Sequence, residues 1–202
     1  MTQSKDEEIR MNILAGADEL FRKYGFNKTT MADIAKISGR GKSTLYHYYK
    51  SKEEIFDALV EDERMKLIAD LESAIASAVT AKEKLHAFFT TRFERLRDCV
   101  NLNNVLVQES IEALRAGVSH FTTRHRMTHE LNESDTIKEI LEFGIRTGEF
   151  RQFTESEIDM MAFIFMSAQH GLELDLVVYD RLDEMLAKLN FFQEILIKGI
   201  EK

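Results

Sequence analysis

No proline occurs anywhere in the 202 residues, and glycine occurs only nine times. Proline ends helices and supplies many of the turns that a multi-stranded sheet needs, so its absence leaves long helical runs unbroken. The expectation is an all-α fold. Hydrophobic residues make up 44% and charged residues 31% of the chain, a globular balance with enough apolar surface for a sizeable core. At roughly 100–200 residues per domain, this length allows one or two domains.

The single cysteine, Cys99, excludes an internal disulfide and any multi-cysteine zinc or iron–sulfur site. Two readings stay open for it: a small buried apolar residue, or a thiol whose pKa is lowered by Arg95 and Arg97. The first ten residues are polar and lack a secretory apolar run. The longest uncharged apolar stretch, Met160 to Leu172, has 13 residues and includes Ser167, Gln169 and His170. Spanning a bilayer takes about 20. The expectation is a cytoplasmic chain with no membrane partner.

The net charge of −8 conceals a strong polarity. From Leu20 to Lys52 the basic residues are Arg22, Lys23, Lys28, Lys36, Arg40, Lys42, Lys50 and Lys52, against the single acid Asp33. That window carries +7, and the rest of the chain −15. A cationic head on an anionic body points to a polyanion as partner.

Apolar residues Ile9, Ile13, Ala17, Leu20 and Tyr24 recur at helical spacing, and Gly25 follows as a stop. Thr30 is a suitable N-cap for a short second helix holding Ile34, Ala35 and Ile37, with Asp33 completing an acidic capping box and Gly39 ending it. A third short helix runs from about Lys42 to Tyr49, with Leu45 and Tyr49 turned inward. Ser51 caps a fourth, whose apolar face is Ile55, Phe56, Leu59 and Val60. Further helices are predicted at about 81–98, 102–116, 119–130, 133–147, 155–177 and 181–200.

Residues 30–49 therefore form two short helices joined by a glycine-bearing turn, a helix-turn-helix. Away from its apolar side, the second carries Lys42, Ser43, Thr44, Tyr46, His47 and Tyr48. These are hydrogen-bond donors with no carboxylate to repel phosphate, unlike the Glu and Lys pairs of an ordinary solvated helix.

The runs YGFNKTTMADIAKISG and KSTLYHYYKSKEEIF, between Phe21 and Phe56, resemble the tetracycline-repressor (TetR) family of bacterial regulators. GEFRQF, from Gly148 to Phe153, resembles the approach to that family's dimerising helices. The family usually places an apolar residue and a serine before the recognition helix, where this chain has Arg40 and Gly41.

The resemblance implies an N-terminal three-helix DNA-binding domain, residues 1–52, followed by a larger helical effector-binding and dimerisation domain, residues 53–202. Thr29, Thr30, Arg40, Tyr48 and Lys52 would contact phosphate, with Thr30 and Lys52 at helix starts whose free N–H groups favour anions. Lys42, Ser43, Thr44, Tyr46 and His47 would face base edges in the major groove. One helix-turn-helix reads few base pairs, so the double-stranded operator would be palindromic and the protein a homodimer. Candidate interface residues are Ile158, Met161, Phe165, Leu182, Met185, Leu189, Phe192 and Leu196. By the same resemblance, the anionic domain takes a small-molecule effector, hydrophobic or amphipathic given the Met and Phe content. Candidate lining residues are Phe89, Arg92, Phe93, Gln108, Glu112, Phe121, Phe143, Phe163 and His170. Each apolar stripe could equally be ordinary core.

No cofactor or metal is expected. His125 and His129 are four residues apart, but Arg124 and Arg126 beside them disfavour a cation. An enzyme is a rival class, yet no Gly-rich phosphate loop, Gly-x-Ser-x-Gly elbow or His-Glu-x-x-His motif occurs, and the one Glu-x-x-His, Glu83 to His86, falls short of the two that a carboxylate-bridged di-iron bundle needs. A helical adaptor contacting protein is the other rival, and the carboxylate-free third helix argues against it.

Overall fold

The computed structural model describes residues 2–98, 121–179, 181 and 188–202. Among these are eight helices and no strand. They are α1 (Thr2–Tyr24), α2 (Met31–Ile37), α3 (Lys42–Tyr48), α4 (Lys52–Ser77), α5 (Ala81–Asp98), α6 (Phe121–Thr147), α7 (Glu155–Val178) and α8 (Leu189–Lys198). No helix among the described residues is long and apolar enough to cross a membrane. The chain divides into two compact units, residues 1–66 and 67–202, and the division falls within α4.

In the first unit, Ile13, Ala17, Leu20, Ile34, Ala35, Leu45, Tyr49, Ile55, Phe56, Leu59 and Val60 are buried, as their spacing requires. Tyr24 departs from the expected α1 stripe and is exposed. Its place is taken by Phe21, whose ring lies 5.3 Å from Phe26 and 6.0 Å from Phe56. Gly25, at φ +82°, turns the chain at Tyr24, so Phe26 folds back onto the core. Gly16 allows α1 and α2 to meet: a Cβ there would stand 2.7 Å from Ile37 Cγ2.

In the second unit α5 packs on α6, α7 and α8, and α6 on α7. Its main core gathers Leu85, Phe88, Phe89, Ile137, Leu141, Phe150, Ala162 and Phe165. The predicted break between helices at 119–130 and 133–147 does not occur, because no glycine or proline stands at the junction, residues 130–133, and α6 continues through it. The predicted helix at 102–116 lies outside the described residues, and of the one predicted at 181–200 the described part is α8.

GEFRQF is a joint built from side chains. Gly148 takes φ +80°, and the Glu149 carboxylate accepts from the Ala81 amide at 2.9 Å and the Lys82 amide at 3.4 Å, capping α5. Phe150 is buried, and Thr154 with Glu157 forms a capping box that starts α7. The Glu157 carboxyl is held below the usual carboxylate range, first by the Thr154 amide and then by the Thr154 hydroxyl.

Candidate nucleic-acid interface

The interface is built on α3. Leu45 and Tyr49 anchor one side in the core, which leaves Lys42, Ser43, Tyr46 and His47 exposed and Thr44 and Tyr48 half-buried. Tyr46 is 46% exposed, a large aromatic with no place in the protein's own packing. Gly41 starts the helix with no side-chain cap.

α2 sets the approach to α3. The Thr30 hydroxyl accepts from the Asp33 amide at 3.3 Å, while the Asp33 carboxylate accepts from the Thr30 amide at 3.1 Å and the Thr30 hydroxyl at 2.5 Å. These bonds, the Thr30 side chain first, hold the Asp33 carboxyl below its ordinary range. The turn closes with Gly39 at φ +64° and the Arg40 amide donating to the Ala35 carbonyl at 2.9 Å. Arg40 is half-buried, and its Nε is buried without a hydrogen-bond partner.

Two of the expected phosphate contacts have other work. Thr29 is only 3% exposed, and its hydroxyl donates to the Gly25 carbonyl at 2.9 Å, so its side chain fastens the α1–α2 turn. Lys52 points its ammonium back into the same turn. Nζ lies 2.9 Å from the Phe26 carbonyl, 3.3 Å from that of Thr29 and 3.5 Å from that of Asn27. It also sits 4.4 Å above the Phe26 ring. With three acceptors for its three N–H groups, Lys52 staples α4 to the turn.

Two residues outside the expected set stand at the end of α3. The Tyr48 hydroxyl donates to Asp6 Oδ1 at 2.8 Å, and the Arg10 guanidinium lies 5.7 Å from the Tyr49 ring centroid. No local pattern marks either residue, since the partners are about 40 positions apart in the chain.

In the second unit, Phe89 and Phe93 are fully buried and Phe143 and His170 half-buried. Arg92 is 9% exposed and is already paired. Its Nε and Nη2 each stand 3.0 Å from a Glu173 oxygen, and Nη1 contacts the Glu133 carboxylate. Gln169 Nε2 donates to Glu173 Oε1 at 2.8 Å. Burial raises the Glu173 pKa, but Arg92 and Gln169 outweigh it and hold the carboxyl below its usual range. This ionic centre joins α5, α6 and α7. Glu133, Gln169 and Glu173 were not singled out in the sequence, although Gln169 and Glu173 stand four apart on one helix face.

Phe163 is 64% exposed, so it lines no interior site. The expected interface stripe is also corrected. Ile158, Phe165 and Leu189 are buried, and Met161, Phe192 and Leu196 pack on the unit's own core. The outward face of α7 instead carries Met160, Phe163, Ile164, Ser167 and Gly171. On α8, Phe191 and Ile195 are exposed. Gln108, Glu112, Leu182, Met185 and Cys99 lie outside the described residues, as do the side chains of Phe121, His125 and His129.

Comparison with known proteins places this geometry in a family. Residues 13–59 match the model for bacterial regulatory proteins of the tetR family. The HTH-type transcriptional repressor KstR2 of Rhodococcus jostii is 30% identical over 158 residues, covering 78% of this chain and 74% of that one. The fatty acid metabolism regulator protein of Bacillus subtilis is 27% identical over 191 residues, 94% of each chain. The crystal structure of the transcriptional regulator FadR from Bacillus subtilis, in complex with stearoyl-CoA, superposes with a TM-score of 0.74 at 22% identity. It covers 95% of this chain and 99% of that one. The chain belongs to the tetR family of bacterial regulatory proteins and is a DNA-binding transcriptional regulator.

Proposed function

We propose that this regulator is a repressor, that it binds a palindromic operator as a homodimer, and that a small apolar or amphipathic effector releases it. The first unit supplies the reading head. The observation that carries this is the outer face of α3: Lys42, Ser43, Tyr46 and His47 stand in solvent on a helix anchored by Leu45 and Tyr49. In this reading Lys42, Ser43, Thr44, Tyr46 and His47 meet base edges, while Thr30, Arg40 and Tyr48 line the phosphate backbone. A second copy would join through the outward apolar face of α7 and through Phe191 and Ile195 of α8, exposed apolar side chains of the kind that mark protein interfaces.

The effector would sit in the second unit near Arg92, where α5 and α7 carry both the Arg92–Glu173 pair and the cluster of Phe93, Leu96 and Leu176, which Leu189 of α8 completes. A relative named for fatty acid metabolism supports an apolar ligand class. The relatives are regulators, which supports a non-catalytic role.

Selection of duplexes from a random-sequence pool by the full chain tests the reading. The expected result is a two-fold-symmetric site bound by a dimer. Thr44→Ala should lose about 1–3 kcal/mol of discrimination on the selected site and little on random DNA. Recovery of no sequence, or a Thr44→Ala loss equal on both duplexes, overturns it.

A further inference from the structure

Tyr48 ends α3 with its side chain across the gap to α1, where its hydroxyl donates to Asp6 Oδ1 at 2.8 Å. Its ring also meets the His47 ring edge to face, with centroids 5.2 Å apart. Asp6 is exposed and lies among the exposed acids Glu7 and Glu8, so a carboxylate stands beside the helix that carries the basic, donor-rich face. The Tyr48 pKa is raised, first by this hydrogen bond, so the phenol keeps its proton at neutral pH.

A phenol has one proton to donate, and both a carboxylate and a phosphodiester only accept. Tyr48 can therefore serve Asp6 or DNA, not both. We propose that Asp6 is an affinity-setting residue for DNA binding: it holds the Tyr48 hydroxyl in the free protein and must give it up when a backbone phosphate takes its place. No covalent bond changes. One O–H···carboxylate hydrogen bond is exchanged for one O–H···phosphate hydrogen bond. A phosphate contact carries no sequence information, so Asp6 lowers affinity for every duplex and restrains binding away from the operator. This rests on α3 being the DNA-facing helix.

The test compares the wild-type full chain with Asp6→Ala, Tyr48→Phe and the double variant, by fluorescence anisotropy on the selected duplex and on random-sequence duplex. Asp6→Ala should tighten binding to both by a similar factor, about two- to fivefold for an exposed hydrogen-bonded pair. In the Tyr48→Phe background the same change should gain less than about 1.5-fold, because the coupling runs through the hydroxyl. Asp6→Glu, which keeps an acceptor, should restore wild-type affinity. If Asp6→Ala melts below wild type, Asp6→Leu, which also lacks an oxygen acceptor, carries the same comparison. Unchanged or weaker binding by the Asp6 variants overturns the proposal. So does a gain that persists in full with Tyr48→Phe, which is bare charge repulsion. A wild-type chain that binds neither duplex overturns the DNA-facing reading of α3, and this inference with it.

Discussion

Lys52 shows how little residue type says about a charge's task. It lies at the start of α4 in a basic window, where a phosphate contact is the natural expectation, yet its ammonium is spent on three carbonyls of the α1–α2 turn. Lys52→Ala should therefore lower stability by about 1–3 kcal/mol in urea unfolding, as hydrogen bonds to a charged group are lost. The slope of log affinity against log salt should change by well under the ~0.9 expected for one phosphate contact. Arg92 is the counterpart in the second unit, legible as a lone cation among phenylalanines but not as the hub of two carboxylates on other helices. Glu173 has a folded pKa below its unfolded one, so its contribution is present above the ordinary carboxylate range and is lost as pH falls through the lower folded value. Glu173→Gln should cost about 3 kcal/mol at neutral pH by leaving Arg92 underpaired, and should flatten the acid limb of the stability–pH curve measured by chemical unfolding.

At the scale of elements, legibility followed the locality of the signal. The Thr30 cap, the Asp33 box, the Gly25 and Gly39 stops and the inward Leu45 and Tyr49 all depend on neighbours within a few positions, and all occur in the structure. Tyr24 sat on the correct periodicity and still emerged into solvent, because the chain reverses at Gly25 and Phe26 fills the space. Gly144 carries a constraint that no local pattern discloses. A Cβ there would fall against the edge of the Phe150 ring and 2.8 Å from Ala81 Cβ. Gly144→Ala should lower stability by about 1–3 kcal/mol, read as a drop in thermal midpoint, because Phe150 cannot move without opening the α5–α6 contact.

For the molecule as a whole, the decisive question is which apolar stripe faces out. Ile158, Met161 and Phe165 repeat along α7 as regularly as Met160, Phe163 and Ile164 do, and periodicity treats the two sets alike. Phe163→Asp should shift the protein from dimer to monomer in sedimentation velocity, with helical content kept. Operator affinity should fall by about 30-fold, the loss of one strong interface anchor. Phe165→Asp should instead unfold the second unit, since that side chain is buried in its core. A dimer that survives Phe163→Asp would return the interface to another face.

Residue order alone determined that this protein is helical, that a cationic helix-turn-helix precedes an anionic body, and that donors without carboxylates line the third helix. Those properties depend on proline content, spacing and charge, which are carried by neighbours in the chain. Only the tertiary structure decided that Thr29 and Lys52 serve the fold, that Asp6 holds Tyr48, that Arg92 joins Glu133 and Glu173, and that Phe163 faces solvent. Each of those depends on helices meeting from distant parts of the chain, where a side chain's partner is set by packing direction and no repeat of residue types records it.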